Sequence, residues 1–257
     1  MACFVSRLLK FGHGNAKLPN STMTFSLPSG HTCPAALLCH SQVNRLPIDG
    51  NHVIQDGPHT KFRCYAATEE LRPSVRNARW YNFDLIKSLK TADMTTLFQQ
   101  SITLQRRTYT ERVRWFVAGD CFSPTIRDAI IQTANSLDGL LHYFYTKNLP
   151  LFVGSRGGLL DLPDNLVVTA SWGGKYDFLL AEGMFPRTAR VVHTHTEAEA
   201  LGLPIDYSDS YAYQADPIHF AHLSHGTQPA GSAASIALHQ RKRDGQFTGY
   251  STRTVHA

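Results

Sequence analysis

Cys33, Cys39 and Cys64 place three thiols in one stretch that is rich in Pro, Gly, His and Ser. Their spacing, C-x5-C with the third cysteine 25 residues later, is not the paired C-x2-C of a zinc ribbon. Three thiolates without an obvious fourth suit an iron–sulfur cluster that leaves one iron open to another ligand. They also suit zinc, with His31, His40 or His59 as the fourth ligand. As ordinary buried thiols they would simply pack as small hydrophobes. Spacing alone leaves all three readings open. The remaining cysteines, Cys3 and Cys121, are isolated, and five in all do not make a disulfide framework.

The other reactive groups follow apolar, β-rich runs. Thr24-Phe25-Ser26-Leu27 leads into the Cys33/Cys39 segment, and Val113 to Ala118 ends at Gly119-Asp120. Leu140 to Tyr145 ends at Thr146-Lys147, and Leu166 to Ser171 at Trp172-Gly173-Gly174. Ala189 to His195 carries His193 and His195 at a spacing of two, which puts them on one face of a strand. His219 to Ser224 ends at His225-Gly226-Thr227-Gln228. Six such runs, each followed by helical or long connecting sequence, predict a parallel sheet. In that architecture the loops beyond the carboxyl ends of the strands build the site. Asp120, Lys147 and Ser171 are therefore the expected catalytic groups, and Gly119, Asp120, Gly173, Gly174 and His225 the expected cofactor contacts.

The expected fold is a single α/β domain over residues 1–245: six strand–helix units in a partial (β/α)6 barrel, with a long cysteine-bearing loop near the N-terminus and a frayed tail over 246–257. A closed eight-stranded barrel would need two more units in the same length, and a flat doubly wound sheet is the alternative. Helical stripes run from Ser74 to about Arg107, with Pro73 at the start. A further helix follows Ser123 as N-cap and Pro124 as first helical residue, with Ile126, Ile130, Ile131, Ala134 and Leu137 on one face. Short helices are expected over Tyr176 to Glu182, over Glu197 to Gly202 and from Ser232.

Composition narrows the class. The chain has 257 residues, 42% hydrophobic and 18% charged, which describes a globular protein with a sizeable core. No apolar run reaches the roughly 18 residues of a membrane span, and the N-terminus lacks a signal-peptide pattern, so a cytoplasmic location is expected. Net charge is +5, with 25 basic and 20 acidic residues and 13 histidines besides. This permits an anionic partner without demanding one. The pairs Arg106-Arg107 and Arg112/Arg114 and the run Arg241-Lys242-Arg243 read as solvated faces, too dilute for a nucleic-acid surface. Gly226 to Ser232 reads as a turn with Ser232 as N-cap, and Asp206 and Asp209 as Asx-type turn residues that could also accept a cation or an amine.

An ordered motif series covers nearly the whole chain: Gly14-Asn15-Ala16-Lys17-Leu18, Phe25-Ser26-Leu27-Pro28, Thr32-Cys33-Pro34, Arg63-Cys64-Tyr65-Ala66 and Val75-Arg76-Asn77. It continues through Gly119-Asp120-Cys121-Phe122-Ser123, Tyr145-Thr146-Lys147, Ala170 to Gly174, Thr196 to Ala200 and Gly226 to Ser232. On these residues the chain resembles the bacteriophage "gene product 88" family and its phage and cyanobacterial relatives. That resemblance implies a protein acting in the cytoplasm of a bacterial host and assigns no reaction. A looser similarity is to radical S-adenosylmethionine enzymes, which pair a six-unit partial barrel with three cysteines after the first strand and a Gly-Gly-Glu-type motif after the second. That similarity implies a cluster on Cys33, Cys39 and Cys64, with Asp120 receiving the amino group of S-adenosylmethionine. The leading expectation is an iron–sulfur enzyme, in one form of this radical type, acting on a small molecule or nucleotide. The alternative is a zinc-stapled binding protein that engages host protein or nucleic acid without catalysis.

Overall fold

The structure is a computed structural model and describes residues 7–249. Cys3 and the last eight residues of the expected tail lie outside the described residues. A mixed α/β domain forms around a seven-stranded sheet. Strand β1 (Gly12–His13) pairs antiparallel with β2 (Thr22–Thr24) at one edge. A small hairpin of β3 (Ser41–Val43) and β4 (Ile54–Asp56) stands apart from this sheet. Next to β2 lie β5 (Arg112–Arg114), β6 (Leu141–Thr146), β7 (Leu166–Ser171), β8 (Thr188–Val192) and β9 (His219–Leu223), in chain order and all parallel. β6 to β9 overlap the expected strands, whereas β2 and β5 lie earlier than the expected Thr24 to Leu27 and Val113 to Ala118 runs and share only Thr24 and Val113-Arg114 with them. The spatial order never reverses, so the sheet has no switch point of the doubly wound kind.

Alternation along the strands separates two faces. In β6, His142 and Phe144 turn towards Trp115, Phe116 and Phe152. Tyr143 and Tyr145 turn the other way, towards Arg114, Tyr213 and His222. The first face is covered by α3 (Thr91–Gln105) and α4 (Pro124–Ser136), whose buried residues fall at helical spacing. Trp115, Phe25 and Phe98 meet edge-on at the centre of this core, with ring centroids 4.9 to 5.7 Å apart. Ser123 caps α4 by accepting from Ile126 N, with Pro124 as first helical residue, as the sequence predicts. The long stripe before it divides into α2 (Pro73–Ile86) and α3, with a break over residues 87–90.

Several expectations need correction. The cysteine-bearing segment is not merely loop: it contains the β3–β4 hairpin and the short helix α1 (Tyr65–Glu69), which begins directly after Cys64. The strand expected to reach His195 ends at Val192, because Thr194 caps α6 (His195–Ala200) by accepting from Glu197 N. The Glu197 carboxylate in turn accepts from His193 N at 2.6 Å, so the N–H of the residue before the cap is turned to the helix. His193 and His195 are thus not a pair. His193 Nδ1 lies 3.0 Å from Ser224 Oγ, and His195 Nε2 lies 2.9 Å from the Tyr207 hydroxyl.

The basic residues are not all solvated either. Arg241, in α7 (Ala233–Arg243), is buried and donates to Ser224 O and Phe247 O. Gln246 N donates to Arg241 O, so the described start of the tail is docked rather than frayed. Arg114 is buried and paired with Asp209 at 3.0 Å. Among the described residues no helix is long and apolar enough to cross a membrane.

Candidate functional site

Each cysteine of interest is tied to groups just beyond the carboxyl end of a parallel strand. Cys33 follows Thr32, whose carbonyl accepts from Asp120 N at 3.2 Å in the loop after β5. Gly119 makes that approach possible: its φ is +83°, and a Cβ there would lie 2.4 Å from Thr32 Oγ1. Cys39 follows Leu37 and Leu38, whose N–H groups both donate to Gly173 O in the loop after β7. Gly174 is needed for the same contact, since a Cβ would sit 3.1 Å from both Ala35 O and Lys147 Cβ. Cys64 lies between Arg63 and Tyr65. The backbone N–H and C=O of Arg63 are both bonded to Gln228 in the loop after β9, and Tyr65 donates its hydroxyl to Val117 O at 2.6 Å.

The three thiols are half-buried and close enough that their charges oppose one another. Burial pushes all three up, Cys33 well above the ordinary thiol value and Cys64 to about 11. Asp120 and the other two sulfurs raise Cys33 further, while Lys147 works against the rise at Cys39 and Cys64. Asp120 is itself raised to about 6 by burial, although its oxygens accept from Cys121 N at 2.7 Å and Lys147 N at 2.9 Å. Lys147 is buried and donates through Nζ to Ser171 Oγ at 2.5 Å and Trp172 O at 2.6 Å. Asp120 thus disfavours the thiolates of Cys33 and Cys39, while Lys147 and the buried Arg79 guanidinium favour that of Cys64.

Asp120, Lys147, Ser171, Gly119, Gly173 and Gly174 therefore gather with Cys33, Cys39 and Cys64 on one rim. The glycine N–H groups are already engaged: Gly173 N and Gly174 N both donate to Asp177 at 2.9 Å. These glycines shape the loop rather than present donors. His225 stacks on Tyr65 at 4.8 Å and 23°, and burial with the charges of Lys17 and Arg241 lowers it to about 4. It stands beside Cys64 as a neutral ring. Trp172 carries the Arg190 guanidinium over its face at 4.2 Å.

None of the candidate fourth ligands closes on the thiols. His31 Nε2 lies 3.1 Å from Val43 O with its ring against Trp80, His40 packs beside Gly57, and His59 is exposed. Among the described residues, the compact group of ligand atoms within 4.8 Å of one another is Asp206, Asp209 and His222, not the three cysteines. That group already holds a cation. The Lys17 ammonium lies 3.2 Å from Asp209 Oδ1 and 3.4 Å from His222 Nδ1, and Arg114 closes on Asp209 Oδ2. Burial would raise Asp209, but Lys17 and Arg114 hold it well below the usual carboxylate range. Asp206 accepts from Ser208 N and Tyr211 N as a turn-forming Asx residue, buried rather than at the surface.

Glu70 and Arg79 carry no sign of their roles in the sequence, and Gln228 stands at a strand end there without an assigned role. Glu70 is fully buried, accepting from Ser29 N at 2.7 Å and Arg79 at 2.8 Å, and so it ties α1 to the turn before Cys33. Nothing in the sequence marks it, since a Glu-Glu pair mostly faces water. Gln228 did carry a signal, because it lies in the Gly226–Ser232 motif.

Fold and rim define an α/β protein with a mostly parallel sheet whose strand ends gather three thiols, a carboxyl and an ammonium. More particularly, the chain belongs to the Gene product 88 family, whose model matches residues 7–244. No curated protein and no solved structure matches it.

Proposed function

We propose that this protein is an iron–sulfur enzyme in which Cys33, Cys39 and Cys64 hold the cluster. The carrying observation is the convergence of the three mutually opposed thiols with Asp120 and Lys147 at the strand ends. The donor set fits the group: burial keeps the metal-free thiols protonated, and a bound cation would reverse that preference. A single tetrahedral zinc with Zn–S near 2.3 Å would draw its sulfurs to about 3.8 Å of one another. The three cysteines are not so compact, and a polynuclear cluster, with each thiolate on its own iron, suits the wider set better.

The sheet is proposed to be the six-unit partial barrel. Strand order supports this, and so do contacts across the second face, that of Tyr143 and Tyr145. In a flat sheet with strands about 4.8 Å apart, β6 and β9 would stand about 14 Å apart. Yet the Tyr145 hydroxyl lies 3.2 Å from His222 Nε2. Curling brings those faces together and turns the carboxyl rim into a mouth.

A cluster bound there would supply one-electron chemistry to a ligand at its open iron. The chain's own groups orient and exclude water. Lys147 fixes the Ser171 hydroxyl and the Trp172 carbonyl, and so sets the rim's polar side. Asp120, raised to about 6, offers a carboxyl that a substrate or cofactor amine would ionise. A small molecule or nucleotide is the proposed substrate class, with S-adenosylmethionine as the proposed co-substrate. Anaerobic purification followed by assays of iron, acid-labile sulfide and zinc tests the reading. Stoichiometric iron and sulfide are expected, and reductive cleavage of S-adenosylmethionine is the next assay. Zinc without sulfide would replace this reading with that of a zinc-stapled binding protein.

A further inference from the structure

Cys64 is remote in sequence from the other two thiols, and the segment around it is gripped from the far end of the chain. Gln228, itself buried, accepts from Arg63 N through Oε1 at 2.8 Å and donates through Nε2 to Arg63 O at 3.2 Å. The same Nε2 donates to His225 O at 2.8 Å, which fixes the loop after β9 around the amide. On the other side of Cys64, the His225 ring stacks on Tyr65, and Gly226 lies so close that a Cβ would meet Tyr65 Cα and Cβ at 3.4 Å. One loop therefore holds the peptide before Cys64 and the ring after it.

We infer that Gln228 is the positioning residue for Cys64, and that the loop after β9 is a latch which completes the three-thiol site. The inference rests on the reading of the thiols as a metal site, but the latch itself is a property of the metal-free chain. An amide side chain suits the role. It pairs with both backbone polar groups of one residue as a strand neighbour would, and no charge is added beside groups that already oppose ionisation.

The test uses the full chain. Gln228→Ala and Gln228→Glu are compared with wild type and with Ser232→Ala, which removes the α7 N-cap without touching the Cys64 segment. In metal-free protein, labelling by N-ethylmaleimide is followed cysteine by cysteine with mass spectrometry. Gln228→Ala is expected to label Cys64 about tenfold faster or more, the factor given by losing one or two net hydrogen bonds. Buried Cys121 stays unchanged. Gln228→Glu falls between, because it keeps the acceptor for Arg63 N and loses the donors. Ser232→Ala lowers the melting temperature without raising Cys64 labelling. In protein reconstituted with ferrous iron and sulfide, Gln228→Ala is expected to release iron to a chelator about ten- to a hundredfold faster. Equal Cys64 labelling in wild type and Gln228→Ala overturns the inference, with or without metal. A wild type that takes up no metal but keeps Gln228-dependent Cys64 labelling upholds the latch and overturns the cluster reading.

Discussion

Replacing Gly119 by alanine is expected to cost about 2–5 kcal/mol, from two separable sources. The first is local: at φ +83° an alanine adopts the left-handed backbone, at roughly 1–2 kcal/mol. The second is steric. The new Cβ would lie 2.4 Å from Thr32 Oγ1 and 2.8 Å from Leu27 Cβ, closer than non-bonded atoms approach, and forced overpacking costs about 1–3 kcal/mol. Thr32 cannot easily yield. Its hydroxyl donates to Pro28 O at 2.8 Å, and its carbonyl accepts from Asp120 N. Urea unfolding followed by far-UV circular dichroism measures the loss at constant m-value. A Thr32→Ala variant alone should lose about 1 kcal/mol with its hydrogen bond. The double variant should then lose less than the sum, by about 1–2 kcal/mol, because the nearest clash has gone while the backbone cost remains. Strict additivity, or a Gly119→Ala loss below about 1 kcal/mol, would refute the claim that this glycine lets the loop after β5 meet the turn before Cys33.

Burial lowers His142 to about 4, and its Nδ1 accepts from Trp115 Nε1 at 3.1 Å, so the folded protein keeps the ring neutral. The unfolded chain takes up that proton below about 6.5, so stability is full above that pH and falls by about 1.4 kcal/mol per pH unit down to about 4. Denaturation at pH 7, 5.5 and 4.5 should show a flatter profile for His142→Gln. Asp209 has linkage of the same sign in a more acidic window: held well below its unfolded value, it stabilises above about pH 4 and loses that contribution as acid protonates it. The gap between wild type and Asp209→Asn should therefore be wide at pH 7 and narrow towards pH 2. Asp177→Ala frees two glycine N–H groups, and a loss of about 1–2 kcal/mol is expected, as for a lost helix cap. It should also speed amide exchange at Leu37 and Leu38, which donate to Gly173 O; unchanged exchange there would mean that the loop does not depend on Asp177.

The strands were legible because their signal is local. Leu166 to Ser171 and Leu140 to Tyr145 are apolar, β-rich runs that end at polar residues, and their parallel pairing follows from the long connection between them. Ser123-Pro124 fixed a helix start for the same reason. The failures arose where one local signal overrode another or where partners were distant. Thr194 and Glu197 cap a helix and cut short a run that reads as strand to His195. The β3–β4 hairpin hides among polar residues, with Val43 the one buried apolar residue in its two strands. At the candidate site, residue types and strand-end positions indicated which groups could gather there. Glu70 and Arg79 stayed invisible because a buried ion pair looks in sequence like two surface charges.

The bonds between Gln228 and Arg63 also set an order in time. They join residues 165 positions apart. At about 5–20 residues per second of synthesis, roughly 8–33 seconds separate the emergence of Cys64 from that of the amide that holds it. During that interval the nascent chain has Cys33, Cys39 and Cys64 but not the amide that holds Arg63, so this grip forms only after β9 and the loop beyond it have emerged. A chain cut between Cys64 and Gln228 would carry all three thiols and still lack the means to hold the third in place.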